Sequence, residues 1–458
     1  MTDAVTFATR VLARKPHPLP SAVAAALADA FLAADAWTKN QLIDAGAFVM
    51  GARRRWLVPL VSEVMSAFVR PPADAPRLLT SVILRSPDFR EAVRKADERR
   101  SPLRIHHHVV RPSTSPDVGG VLPSIDGIPD LASLLDLDIG QLQWFADTKH
   151  WNRRARPGPL HHYRYEWRTR PGRVPRLLEV PEQRLRRAQR TLLSSLLALI
   201  PANDAAHGFI PGRSAATGAA RHVASDAVIS LDLTTFFARV AAARVYGTLR
   251  QSGYSESVAH TITGLCTNAV PPRVLAAMPS GGSPDERFAL RRALAASHLP
   301  QGAPSSPMLA NLAIRRLDSR LSGWADAAGA TYTRYADDLA FSGSGVFAKR
   351  PDAFIRGVRR IIEDEGHSAN PRKTRVRRQG VRQTVTGIVV NQRVNVSRAD
   401  YDRLKATIHN CVVHGPQTQN HRGIDDFRAH LLGRISWVES LNAQRGGRVR
   451  QEFARIRW

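Results

Sequence analysis

Helices at both ends of the chain and a strand-rich middle predict an α+β fold, and three observations carry that prediction. Residues 332 to 342, Tyr-Thr-Arg-Tyr-Ala-Asp-Asp-Leu-Ala-Phe-Ser, read as two half-strands meeting at Asp337 and Asp338 on a hairpin tip. The apolar run Ala227-Val228-Ile229-Ser230-Leu231 reads as a buried strand that delivers Asp232 at its end. Helical spacing marks the two ends: Val23, Leu27, Phe31 and Leu32 form one stripe, and Tyr401, Leu404, Ile408 and Val412 another.

Taken in order, residues 1 to about 72 are Ala-rich and helical in spacing, and Pro71-Pro72 breaks that element. A second helical stretch runs to the basic cluster Arg94 to Arg104, which sets the helical N-terminal extension at residues 1–120. Pro, Ser and Gly then crowd residues 112 to 129, a linker. Asp130 can cap a helix carrying Leu131, Leu134, Leu135 and Leu137, with Trp144 and Phe145 following. Residues 267 to 300, containing Pro271-Pro272 and Ser280-Gly281-Gly282-Ser283-Pro284, predict a mobile excursion. After it, Gly302 permits close backbone approach, and Pro304 and Pro307 stiffen the turn into a helix from Met308 to Leu317. From about Asn395 the chain is helical again, with a further stripe from Leu431 to Val438.

Charge narrows the class of partner. Against 39 Asp and Glu stand 66 Lys and Arg, a formal net charge of +27, and so basic a chain needs a polyanion or suffers self-repulsion. Most of the cations are Arg, whose planar fork grips phosphate with two hydrogen bonds and stacks on bases. At 458 residues the chain has room for two or three domains with sizeable cores. Its two cysteines, Cys266 and Cys411, lack CxxC spacing, so neither a disulfide framework nor a zinc site is indicated and a reducing cytoplasm fits. Met1-Thr2-Asp3-Ala4 opens no signal peptide, and no run approaches the roughly 18 apolar residues of a membrane helix.

Two basic features invite a functional reading. In a strand, His106-His107-His108 would point to opposite faces, and without further ligands at metal spacing a surface or nucleic-acid-facing cluster is expected. Arg53-Arg54-Arg55-Trp56 ends an apolar helix, where cations favour the negative end of the dipole, so helix capping competes with phosphate binding.

The acids carry the chemistry. Adjacent carboxylates repel unless a cation sits between them, and hard oxygen ligands favour a divalent metal. Asp232, Asp337 and Asp338 on neighbouring strands suffice for a pair of magnesium ions roughly 3.5–4 Å apart, the arrangement that serves an in-line phosphoryl displacement. Asp-Asp is also a common turn dipeptide, since both side chains cap their own backbone.

The motif order resolves the ambiguity. Tyr335-Ala336-Asp337-Asp338 resembles the polymerase signature of reverse transcriptases; Asp232-Leu233-Thr234-Thr235-Phe236-Phe237 resembles the motif of their first catalytic aspartate. Gln301-Gly302-Ala303-Pro304-Ser305-Ser306-Pro307 resembles the loop beside primer terminus and incoming nucleotide. Around these, Arg176-Leu177-Leu178-Glu179-Val180-Pro181 and Gly208-Phe209 with Gly212-Arg213-Ser214 resemble fingers segments, and Asn370 with Lys373-Thr374 resembles the motif after the catalytic hairpin. Val385-Thr386-Gly387 matches the Val-Thr-Gly motif of retron enzymes, and Gly218-Ala219-Ala220-Arg221-His222 stands where they carry Asn-Ala-x-x-His, without the Asn.

This resemblance implies a right-hand polymerase fold, with fingers and palm in 128–394 and a helical thumb in 395–458, beyond the N-terminal extension. It implies Asp232, Asp337 and Asp338 as ligands of two Mg²⁺ ions, and Arg176, Phe237, Gln301 and Gly302 at the dNTP, with Phe237 excluding a ribose 2′-hydroxyl. Lys373 stands either as acid for the leaving pyrophosphate or as a phosphate-facing lysine in the basic run Arg372 to Arg382. RNA contacts are implied at Arg213, His222, Val385, Thr386 and Gly387. The implied activity is an RNA-directed DNA polymerase that copies part of a cognate noncoding RNA into branched single-stranded DNA, with dNTPs as substrate, an effector protein as partner and antiviral defence as setting. Another bacterial defence-associated or group II intron-like reverse transcriptase would share the same catalytic residues, and a silent RNA-binding protein on the same scaffold is the remaining alternative.

Overall fold

A computed structural model describes residues 20–34, 36–69, 71–72, 76–107, 123, 125–148, 151–154, 158 and 160–458. The Met1-Thr2-Asp3-Ala4 start, His108 and linker residues 112–122 and 124 lie outside them. Two compact units divide the chain: residues up to 144 together with 249–262, and residues 145–248 together with 263–458.

The first unit is helical and includes α1 (Pro20–Leu32), α2 (Lys39–Met50), α3 (Leu57–Ala67), α4 (Pro76–Arg85), α5 (Pro87–Glu98) and α6 (Ile128–Leu134). Val23, Leu27 and Phe31 of the predicted stripe are buried with Leu42, Leu57, Leu60, Leu79, Ile83 and Phe89. Pro71-Pro72 falls between α3 and α4, where a residue without an amide proton costs no helical hydrogen bond. Asp130 sits inside α6 rather than at its cap position: its carboxylate accepts from the backbone N–H groups of Asp126 and Gly127 at 3.0 Å each.

The second unit begins with an antiparallel hairpin, β1 (Tyr163–Arg168) and β2 (Arg176–Pro181). Its four-stranded sheet runs β4-β5-β3-β6, with β3 at Ala227–Asp232, β4 at Ala330–Tyr335, β5 at Asp338–Gly343 and β6 at Arg375–Arg378. Apolar β3 takes a central place, whereas arginine-rich β6 takes an edge, where charge discourages pairing with another chain. Helix α10 (Pro351–Asp364) buries Phe354, Ile355, Val358 and Ile362 from one stripe and sets Phe354 edge-on to Phe341 of β5, ring centroids 5.2 Å apart.

Residues 267–300 are folded rather than a mobile excursion. They contain a short helix at Pro272–Ala276 and α7 (Pro284–Ala295), whose Ser283 cap and Glu286 satisfy each other's backbone amides. Val270, Met278, Leu290 and Leu294 bury with Leu177 of β2; the Pro and Gly residues punctuate an ordered segment. The predicted Met308–Leu317 helix is interrupted at Ile314, giving α8 (Ser306–Ala313) and α9 (Arg315–Ala327).

Beyond a small hairpin, β7 (Thr384–Val385) and β8 (Ile388–Val389), come α11 (Arg398–His414), α12 (Phe427–Leu441) and α13 (Ala443–Phe453). Leu404, Ile408, Leu431, Ile435 and Val438 bury together with Val228, Ala340, Val385 and Ile388, so the C-terminal helices share one core with the sheet.

Three buried histidines, His162, His222 and His367, are each pushed down to about 4, chiefly by burial, and are therefore neutral in the fold. Unfolded imidazoles titrate near about 6.5, so between about 6.5 and 4 the unfolded chain takes up protons that the folded one refuses. Stability should fall on acidification through that window, by at most about 1.4 kcal/mol per pH unit for each histidine. Urea unfolding at pH 7 and pH 5 of the unaltered protein and of His222→Gln measures it: the substitution should make the fall on acidification shallower, and the same pH dependence in both would contradict the assignment.

Candidate active site

Register brings the acids together. In the β3/β5 ladder Asp232 is the direct partner of Asp338, and in the β4/β5 ladder Tyr335 partners Asp338 across the two-residue turn Ala336-Asp337. The turn is tied to the neighbouring strand end by Leu233 N–H donating to Asp337 O at 2.9 Å. Asp232 is 8% exposed, and its Oδ2 accepts from Lys373 Nζ at 2.6 Å. Lys373 closes a short turn, Pro371–Lys373, which Asn370 joins to Asp232 by donating its N–H to the Asp232 carbonyl at 2.7 Å.

Electrostatics register the crowding. Burial and the charges of Asp337 and Asp232 push Asp338 up to about 6. Burial and Asp232 also raise Asp337, against a backbone hydrogen bond and the charges of Lys373 and Arg176. Arg176, exposed at the start of β2, thus reaches the acid cluster with its field. Among the described residues no three of His, Cys, Asp and Glu converge on one point as a ready metal cage; the cation at Asp232 is the lysine ammonium. In chemistry the donor set fits a hard divalent ion, since it consists of carboxylates alone whose mutual repulsion such an ion relieves.

A buried knot that sequence reasoning missed holds the hairpin. Arg334 in β4 and Asp318 in α9, both fully buried, form a two-pronged ion pair, Nε to Oδ1 at 2.8 Å and Nη2 to Oδ2 at 2.7 Å. Tyr332 OH donates to the same Asp318 at 2.9 Å. Arg334 Nη1 donates to Asn311 Oδ1 at 2.8 Å and to the carbonyl of Ala336 at 3.2 Å, so the guanidinium holds the turn residue itself. Asn311 in turn donates to Gly208 O at 2.8 Å. A Cβ on Gly208 would lie 2.9 Å from Ala336 N, so glycine there lets the 207–209 segment back directly onto the turn. The one legible signal was an arginine in the middle of an otherwise buried half-strand; its partner 16 residues upstream was not.

Backbone strain gathers at the same place. Phe209, Thr235 and Ala336 have φ of 59°, 48° and 54°, a region that residues with a Cβ rarely occupy. Thr235 turns the chain after β3 into the short helix Phe236–Arg239, where Phe237 is half-buried with its ring 5.3 Å from that of Phe236.

The Gln301-Gly302 loop is fastened to β2 through Glu179. Glu179 N–H donates to Gln301 O at 2.8 Å, and Gly302, at φ 126°, leaves room for the Glu179 carbonyl, 3.1 Å from where a Cβ would stand. The Glu179 carboxylate, 1% exposed, meets His298 Nε2 at 2.8 Å and Asn268 Nδ2 at 2.7 Å. Burial alone would lower His298, but the charge and hydrogen bond of Glu179 raise it. Neither Glu179 nor His298 stood out in the sequence as a link between the two segments.

Of the residues expected at RNA, two face inward and a third is engaged by its own loop. His222 is fully buried, its ring nitrogens bonded to Ser342 Oγ at 2.7 Å and Thr333 Oγ1 at 2.6 Å, so it braces β4 and β5 from within. Arg213 holds its own loop, donating to the carbonyls of Asn203, Asp204 and Ala206 and to the Asp204 carboxylate. Val385 is 3% exposed in the core shared with the C-terminal helices. Thr386 and Gly387 form the tip between β7 and β8, at φ 50° and 82°, both positive as a two-residue hairpin turn of the primed type requires.

Residues 171–394 match the family model described as reverse transcriptase (RNA-dependent DNA polymerase). The chain is 38% identical over 327 residues to the Retron Mx65 reverse transcriptase of Myxococcus xanthus, covering 70% of this chain and 69% of the relative. It is 36% identical over 303 residues to the Retron Mx162 reverse transcriptase of the same organism, covering 63% of this chain and 59% of that relative. To the Retron Ec86 reverse transcriptase of Escherichia coli it is 27% identical over 326 residues, covering 70% of this chain and 87% of the relative.

Removing one member of the buried knot strands the other's charge, so Asp318→Ala should destabilise the protein by about 3–5 kcal/mol. Denaturant unfolding checks this, and the double change Asp318→Leu with Arg334→Met should recover much of the loss. A single-variant cost below about 1 kcal/mol would place the pair outside the determinants of this hairpin.

Proposed function

This chain belongs to the retron reverse transcriptases, and from that premise we propose that it copies part of a cognate structured noncoding RNA into branched single-stranded DNA within an antiviral defence system. It is an RNA-directed DNA polymerase. The observation that most supports the site assignment is the register that sets Asp232 opposite Asp338, one residue from Asp337.

On this reading Asp232, Asp337 and Asp338 hold two Mg²⁺ ions, which when bound supply charge neutralisation for the attacking and leaving oxygens of an in-line displacement. Arg176 offsets charge on the triphosphate, in keeping with its field at Asp337. Lys373, within hydrogen-bond reach of Asp232, serves as the cation and proton donor nearest the leaving pyrophosphate. Gln301 and Gly302 shape the floor for the new base pair, and Phe237 selects dNTPs by excluding the 2′-hydroxyl. Thr386 and Gly387, at a hairpin tip, remain the residues of the Val-Thr-Gly motif suited to meet RNA. An effector protein is the further partner that this setting would call for. No helix among the described residues is long and apolar enough to cross a membrane.

Asp337→Asn should abolish cDNA synthesis from the cognate RNA while RNA binding stays roughly intact, because a lost ligand disables metal chemistry without altering the basic surface. Primer extension and filter binding on one preparation read the two effects, and sequencing copurified nucleic acid before and after debranching identifies template and primer. Residual synthesis by this variant, or an unbranched product, would overturn the respective part of the proposal. His298→Gln should raise KM for dNTP more than it lowers kcat, since it loosens the loop that receives the nucleotide rather than the acids. A fall in kcat at constant KM would show that the Glu179 clamp does not act on nucleotide binding.

A further inference from the structure

The first unit concentrates its excess charge at one place. Residues 20–107 carry 13 Lys and Arg against nine Asp and Glu; with Arg53, Arg54, Arg55 and Arg104 set aside, nine cations face nine acids. Those four arginines are exposed and gather where the turn after α2 meets the chain leaving α5. His106 N–H donates to Val49 O at 2.8 Å, and the His106 ring lies against Gly51, 2.6 Å from where a Cβ would stand. Beside them Phe48, 53% exposed, stacks on exposed His107 with ring centroids 4.4 Å apart and planes 20° from parallel. The stack and Arg53 share a face of α2, because Arg53 reaches Asp44, one helical turn before Phe48, across 3.8 Å. Among the described residues Arg54, Arg55 and Arg104 pair with no carboxylate, and the Arg53–Asp44 pair is long and solvent-exposed.

We propose that this patch is a binding site for an unpaired segment of RNA, with a base continuing the Phe48–His107 stack and phosphates held by Arg53, Arg54, Arg55 and Arg104. Helix capping explains one cation after α2, not four around an aromatic pair. A protein partner with an acidic surface would use the charge but has no need of an open aromatic face, whereas single-stranded nucleic acid uses both, through phosphate contact and base stacking. The inference concerns a unit apart from the carboxylate site and stands whether or not the metal assignment holds.

The test uses the full chain and a labelled 20-nucleotide single-stranded RNA, with a blunt RNA duplex of the same length as comparison. Replacing Arg53, Arg54 and Arg55 together by Ala should reduce the slope of log affinity against log salt by about 2, since each phosphate left unneutralised takes away about 0.7. Phe48→Ala should weaken single-stranded binding by about tenfold and duplex binding little, and Phe48→Trp should restore it. Extension of a primed homopolymer should be unchanged in all of these variants. Crosslinking of 4-thiouridine-labelled RNA to the unaltered protein, read by peptide mapping, should mark Phe48 to Arg55 or the peptide through His107, independently of any variant's folding. Absence of crosslinks there, an unchanged salt slope, or equal loss of duplex and single-stranded binding in Phe48→Ala would each overturn the proposal.

Discussion

The hairpin that carries Asp337 and Asp338 depends on a charge buried where charges are costly. Arg334 and Asp318 are fully enclosed, and such a pair is tolerable because all three guanidinium nitrogens find partners: the carboxylate twice, Asn311, and the Ala336 carbonyl. That completeness gives the interaction direction. A hydrophobic cluster would hold β4 against α9 equally well but would leave the Ala336-Asp337 turn free to choose among conformations. The fixed fork of an arginine leaves it one choice. The strained φ of Ala336 is maintained by this network and by Gly208, which presses on the turn from outside.

A second knot does comparable work between β2 and the Gln301-Gly302 loop. Glu179 joins β2 to Asn268, His298 and the Gln301 backbone, linking a strand that carries Arg176 to a loop more than 120 residues later. Both knots are polar and buried, and both fasten backbone: the Ala336 turn in one, the Gln301 carbonyl in the other. They fit the intervening segment 267–300 being folded: the buried His298–Glu179 hydrogen bond could not be kept dry by a wandering chain.

Much of the site was legible in the sequence because its signals are local. Strand alternation, the paired aspartates and the turn at 336–337 all lie within one short stretch, and Asp232 closes an apolar run whose burial follows from composition. What was not legible depends on long-range pairing. Nothing near His222 announces Ser342 and Thr333, more than 100 residues away, as its partners, so a residue that resemblance alone put at RNA is a buried brace. The partners of Arg213 are close in sequence, but they are mostly carbonyl oxygens, which no residue name reveals. The proline and glycine content of 267–300 suggested mobility because loop composition and capped-helix composition overlap; Ser283, Pro284 and Glu286 were a helix start.

The ammonium of Lys373 against Asp232 also shapes the sheet mechanically. Lys373 leads into the edge strand β6 and Asp232 ends the central strand β3, so their 2.6 Å contact, with the Asn370 N–H on the Asp232 carbonyl, clasps the edge to the centre beyond the last rung of the β3/β6 ladder. A strand of four residues thereby gains an anchor that its few backbone pairings alone would not give it.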